Sequence, residues 1–266
     1  MVIVNCLLKC WRKCLLEHNS PSDFYVSCWQ SSHLSWPLLL LRSILFLYSM
    51  TVLAVSVALD PYICYRFIYF THWGFLAIVL ETGFSTAISA YAHFKRPIDA
   101  TFGLPWYVKT YWVLYNVTIP VAFLITVFYW GILKTSGKIQ KYAPNPVLDV
   151  MLHGGNSVAM LMELVLSAHP SRLLHILQPL LFALAYLLFT VAYYFAGGLD
   201  PWGNAFIYPV IDWSKPQQTV IVVALTALFL TLMHLVVVAI ASTRDAICRR
   251  FRNTPGIYND GFGDES

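Results

Sequence analysis

Apolar residues dominate six long stretches of the chain, near residues 36–57, 66–92, 111–134, 147–168, 174–197 and 217–242. Each is long enough to cross a hydrocarbon core as a helix, which takes roughly 20 residues. Short polar segments rich in Pro, Gly and Asn separate them. Trp36-Pro37 opens the first stretch and Asp60-Pro61 closes it, while Asn145-Pro146 opens the fourth. The pattern predicts an all-α polytopic membrane protein with a bundle of about six transmembrane helices over 36–242. A cytoplasmic segment, 1–35, precedes it, and a largely disordered cytoplasmic tail, 243–266, follows. The fourth stretch is the least regular, because His153, Gly154, Gly155 and Asn156 interrupt it; five spans plus a re-entrant element is the other reading.

Composition agrees with this pattern. Hydrophobic residues make up 58% of the chain and charged ones 11%, against about a quarter charged in a soluble domain. The net charge of +4 matters less than where the cations fall. Lys9, Arg12, Lys13, Lys95, Arg96, Lys109, Arg172, Arg244, Arg249, Arg250 and Arg252 gather on one side of the expected trace. Arg66, Lys134, Lys138, Lys141 and Lys215 lie on the other, and Arg42 lies within the first span. Cytoplasmic loops collect Lys and Arg, so both termini are expected inside. Basic residues that ring membrane ends do not form a nucleic-acid surface.

The cysteines show no disulfide-framework spacing. Cys6, Cys10 and Cys14 recur among Lys9, Arg12 and Lys13, and Cys248 abuts Arg249 and Arg250. This setting suits S-palmitoylation at Cys10, Cys14 and Cys248, and equally inert thiols beside a membrane. Aromatic pairs at both ends of the third stretch, Tyr111-Trp112 and Tyr129-Trp130, read as interfacial belts. His169 and His175 read as solvated or interfacial. The aromatic loop from Gly197 to Gln217 is expected to cap the bundle.

The candidate chemistry lies in polar residues inside apolar stretches, where burial is costly and usually marks function. Thr71 falls five positions after Arg66, and His153 six after Val147. Both are therefore expected in one layer, roughly 8 Å below the outer face. Glu81 and Glu163 each lie ten positions further on. Thr71 and His153 have the types of a nucleophile and general base for acyl transfer. Asn156 has the type of an oxyanion donor, and Gly154 and Gly155 permit close approach by a backbone or lipid chain. Competing readings are a membrane Thr bonded to its own helix and His153 as a structural partner. Glu81 and Glu163 suit either an inward polar path or protonated carboxyls bonded between helices. The Thr82, Ser85 and Ser89 series reads as a helix-contact stripe. His72, His153 and His234 have ligand chemistry, but His234 belongs to the opposite face, and no metal or cofactor is expected.

Three ordered motifs resemble one family: Tyr69-Phe70-Thr71-His72-Trp73-Gly74-Phe75, Leu152-His153-Gly154-Gly155-Asn156, and Tyr208-Pro209-Val210-Ile211-Asp212-Trp213. They resemble the rolling stone family of insect and other animal membrane proteins, over about Asp23 to Arg252. The resemblance implies a plasma-membrane protein of myoblast fusion and muscle development, with lipids and other membrane proteins as partners. A weaker similarity extends to androgen-induced and androgen-dependent membrane hydrolases, which cleave fatty-acid esters of hydroxy fatty acids with an intramembrane Thr and His. Tyr69-Phe70-Thr71, His153 ten residues before Glu163, and Tyr208-Pro209-Val210 carry that similarity. It implies Thr71 as nucleophile, His153 as base and a lipid ester as substrate. Those hydrolases have bulkier residues where this chain has Gly154-Gly155-Asn156.

Overall fold

A computed structural model describes residues 16–30, 36–59, 62–95, 97–135 and 145–252. Six helical segments run back and forth: α1 (Trp36–Ala58), α2 (Phe70–Phe94), α3 (Trp106–Phe128), α4 (beginning at Pro146–Val150 and ending at Asn156–Leu166), α5 (Leu177–Phe195) and α6 (Pro216–Arg252). No strand forms among the described residues. Five of the helices are long and apolar enough by themselves to cross a membrane. The fourth segment is a π-helical turn, Met151–Gly155, set between two α-helical pieces. Its backbone stays in the right-handed helical region through both junctions, so it is one helix about 31 Å long rather than a re-entrant hairpin. The chain thus has the architecture of an integral multi-pass membrane protein.

Local chemistry explains the element boundaries. Asn145 caps α4, its side chain accepting from the amides of Val147 and Leu148 at 3.0 and 3.1 Å, with Pro146 in the first turn. Ser43, Ser49 and Ser56 of α1 return their hydroxyls to carbonyls three or four residues back, which satisfies a polar group inside an apolar helix. The π turn releases carbonyls from the regular ladder, and side chains of neighbouring helices take them. Tyr48 donates to Met151 O at 3.1 Å and Thr126 to His153 O at 2.6 Å. A second π turn, Tyr129–Leu133, extends α3 at the same end of the bundle.

α3 is the central helix, touching α2, α4, α5 and α6, while α1 packs on α2 and α4. Tyr111, Trp112 and Tyr115 of α3 are fully buried and Tyr129 nearly so. They belong to the core, not to an interfacial belt, because α3 is surrounded by other helices. The Thr82, Ser85 and Ser89 stripe does face α1: Thr82 shares a 3.0 Å hydrogen bond with Ser49, and Ser89 accepts from Arg42.

The two ends of the bundle are finished differently. At the end holding Trp36, Leu166 and Arg252, residues 16–30 fold over the helix tips and bury Phe24. The last carbonyls of α4 are each taken by a side chain: Leu164 by Arg244, Val165 by Trp29 and Leu166 by Ser27. The same lid encloses His169, stacked on Tyr115 at 3.7 Å with Phe24 edge-on at 5.0 Å, and His175 is buried beside it. The expectation of solvated histidines fails because the N-terminal segment covers this turn. At the opposite end the 197–215 loop caps the bundle, Trp213 bonding Thr190 of α5 at 3.2 Å.

Candidate functional site

Within the bundle, α1 carries Arg42 in complete burial. Its guanidinium donates to Glu163 of α4 at 2.6 Å, to Ser89 of α2 at 2.6 Å, to the Phe24 carbonyl at 2.8 Å and to the Tyr111 hydroxyl of α3 at 2.6 Å. Tyr111 in turn donates its hydroxyl hydrogen bond to Glu163 at 2.8 Å. Four helices and the N-terminal segment therefore converge on one buried ion pair. Glu163 is the partner of Arg42, which replaces the expectation of a protonated carboxyl bonded between helices. Glu81, also fully buried, has no hydrogen-bond partner on either carboxyl oxygen. Ser89, which shares the Arg42 guanidinium with Glu163, stands eight positions beyond Glu81 on α2.

α2 starts at Phe70 rather than near Arg66, so Thr71 becomes its second residue, behind a 3₁₀ segment, Ile63–Ile68. His153 is the eighth residue of α4. Thr71 helps to line a cavity of about 320 Å³ among α2, α3, α5, α6 and the 197–215 loop. Leu124, Ala183, Leu184, Val223 and Ala227 are typical of its walls. Tyr208 lines it beside Thr71, its hydroxyl accepting from the Phe70 amide at 2.9 Å and so capping α2. Burial pushes the Tyr208 phenol up to about 12 against the opposing pull of hydrogen bonds from Phe70, Tyr186 and Thr71. Tyr208 is thus a neutral phenol that can both donate and accept.

His153 faces another direction. Its Nδ1 lies 3.0 Å from the Asp149 backbone oxygen and 3.0 Å from the Asp149 carboxylate. Lys134 closes on the other carboxylate oxygen at 2.5 Å. Tyr129 stacks on the imidazole at 3.5 Å and also lines the cavity, so one ring separates His153 from the cavity wall. No hydrogen bond joins Thr71 to His153. With Nδ1 held by Asp149, Nε2 is the nitrogen left to accept a proton. Asp149 stands one helical turn before His153, a spacing visible in the sequence, as is Tyr129's place in an aromatic pair; neither was singled out as part of a site.

The remaining candidates are structural in position. Asn156 is buried, its side-chain oxygen accepting from Thr126 at 3.2 Å and from the Ser157 amide at 2.6 Å, which ties α4 to α3. A side chain on Gly155 would meet the Tyr48 hydroxyl, so the group approaching this glycine is a tyrosine and not a backbone or lipid chain; Gly154 has ordinary clearance from Trp130. His72 lies 3.4 Å from Arg66, and His234 bonds the Arg172 carbonyl at the other end of the bundle. Among the described residues no three His, Cys, Asp or Glu side chains gather to hold a metal. Cys248 is buried against Cys28 and presents no thiol for acylation in this arrangement. Cys10 and Cys14 lie outside the described residues.

Comparison with known proteins agrees with this architecture. The family model described as "Protein rolling stone" matches residues 12–253. Protein rolling stone of Drosophila melanogaster is 32% identical over 228 residues, covering 81% of this chain and 80% of that protein. No solved structure matches. The matched span takes in all six helices, the buried Arg42–Glu163 pair and the cavity beside Thr71, and on that match the chain belongs to the rolling stone family.

Proposed function

We propose that the protein acts at the plasma membrane in myoblast fusion and muscle development, with both termini cytoplasmic and with membrane lipids and other membrane proteins as its partners. Family membership supports the setting, and the one-sided distribution of Lys and Arg supports the orientation. The observation that carries the reading on the molecule is the cavity of about 320 Å³, lined mainly by apolar side chains, with Thr71, Tyr129, Tyr186, Thr190, Tyr208 and Thr226 as its hydroxyl-bearing residues. In a bilayer such a space suits a single acyl chain with a polar group at one end. The test is fusion of myoblasts lacking the protein, re-expressing either wild type or Ala227→Phe, which fills the cavity. Fusion should fall on removal, return with wild type and stay low with the filled variant. Unchanged fusion on removal rejects the role.

A second reading, an intramembrane threonine hydrolase of lipid esters, is favoured by Thr71 on the cavity wall beside the neutral Tyr208 phenol. Thr71 Oγ would attack the ester carbonyl and release its proton to Nε2 of His153, whose orientation Asp149 maintains; the ester C–O bond would break, the departing alkoxide would take that proton, and water would hydrolyse the acyl-threonine. Substrate or a water must complete that relay, since the two side chains do not touch. Purified protein in lipid nanodiscs, given a fatty-acid ester of a hydroxy fatty acid, should lose hydrolysis by about 10²-fold or more in both Thr71→Ala and His153→Ala. A fully active Thr71→Ala protein removes the assignment.

A further inference from the structure

Cys28 and Cys248 stand 220 positions apart in the chain, yet their sulfurs are 2.8 Å from one another. Non-bonded heavy atoms rest near 3.5–4.0 Å, so this is closer than ordinary packing. Both thiols are buried, at 6% and 4% exposure. Their approach is imposed from two sides by one structural element, the end of α4. Cys28 sits between Ser27 and Trp29, whose side chains hold the Leu166 and Val165 carbonyls. Cys248 lies one turn after Arg244, whose guanidinium holds the carbonyls of Leu164 and His169 at 2.7 and 2.8 Å. Pinning both neighbours to adjacent carbonyls leaves the two sulfurs little room to part.

We infer that Cys28 and Cys248 form a reversible disulfide that staples the N-terminal segment to α6 across the end of α4. Bond formation needs the sulfurs to close by less than about 1 Å. The oxidant is a low-molecular-weight disulfide. One cysteine thiolate attacks it, forming a mixed disulfide and expelling one small thiol; the second cysteine then displaces the other half, leaving the Cys28–Cys248 bond and a second small thiol. Two protein thiols are oxidised and one small disulfide is reduced. Burial pushes the Cys28 thiol up to about 12, with the Cys248 contact adding to it, so the reduced pair reacts slowly while the lid is docked. The staple would fix in place the segment that supplies the Phe24 carbonyl to Arg42 and the Phe24 ring to His169.

The test uses full-length protein in lipid nanodiscs, treated with oxidised glutathione or with dithiothreitol, blocked with N-ethylmaleimide and mapped by peptide mass spectrometry. The oxidised sample should yield a peptide joining Cys28 to Cys248 in most molecules, lost on reduction, with Cys64 still carrying maleimide. Its melting temperature should exceed that of the reduced sample by several degrees, a difference absent from Cys28→Ser and Cys248→Ser treated alike. The inference is overturned if wild-type protein that keeps its thermal transition gives no such peptide, or if either cysteine is found joined to a different one. A linked peptide without a thermal shift overturns the stapling role. Because the mapping is done on wild type, a variant that folds poorly leaves the outcome decided.

Discussion

At the Arg42 end of the bundle, every buried donor on one guanidinium meets an acceptor, and the segment 16–30 closes over the result. At the Thr71 end, hydroxyls line an apolar cavity, and an ionic cluster, Lys134–Asp149–His153, is set behind Tyr129. The contrast separates two uses of polarity in a membrane. A polar group whose partners are all supplied by the protein holds helices together. A polar group that looks onto empty apolar space is available to something that enters. The Arg42 end is thus closed by its own partners, and the proposed function places its site at the Thr71 end.

Breaking this comparison is simplest at Arg42. Arg42→Ala leaves Glu163 charged and buried, and should cost about 3–5 kcal/mol in denaturant unfolding of the nanodisc protein. Replacing both residues by Met should recover most of that loss, because an apolar pair needs no mutual solvation. A single variant within 1 kcal/mol of wild type would show that the ion pair does not organise this end.

Gly155→Val brings a side chain against Tyr48 and is expected to cost about 1–3 kcal/mol, with Tyr48→Phe recovering part of it. Failure of that rescue would mean that the glycine serves the backbone of the π turn and not the tyrosine. Next in size is a pH effect at the closed end. Burial holds the His169 imidazole well below its usual range, with Arg42 and Arg244 adding to this. The unfolded chain binds a proton near pH 6.5 that the folded protein refuses. Stability from this group is complete above that pH and falls below it by about 1.4 kcal/mol per unit until the folded group titrates. His169→Gln should flatten the slope measured between pH 6.5 and 5; an unchanged slope assigns it to other groups. The smallest effect belongs to the open end, where Tyr208→Phe removes one cap from α2 and should cost about 1 kcal/mol in the same unfolding assay. A loss as large as that for Arg42→Ala would erase the distinction between the ends.

Much of the architecture was legible from apolar run length alone, because a bilayer sets how long each helix must be. The capping of the bundle by the 197–215 loop and the contact stripe on α2 followed from aromatic and small polar residues in plain view. Burial within the bundle was less legible. Tyr111, Trp112 and Tyr129 have the composition of an interfacial belt, and only the central place of α3 turns them inward. Arg42 was noticed as a charge inside a span without its partner, although the buried carboxylates Glu81 and Glu163 were the natural candidates. His169 and Cys248 were assigned to the surface since nothing local announces that residues 16–30 fold back over them. At the site, the depth of Thr71 was read from an assumed helix start at Arg66, whereas α2 begins at Phe70 after a 3₁₀ segment that nothing in the local sequence announces.

The π turn at Met151–Gly155 links the two ends in a further way. A π turn holds one more residue than an α turn, so the same residues wound as an uninterrupted α-helix would reach a different phase. Everything beyond the turn would then be rotated by about 100° relative to Asp149. Glu163 would swing off Arg42 while Asp149 and Lys134 kept their places. The wide turn therefore acts as a phase adjuster: its single extra residue lets one helix present an imidazole in one direction and a carboxylate in another.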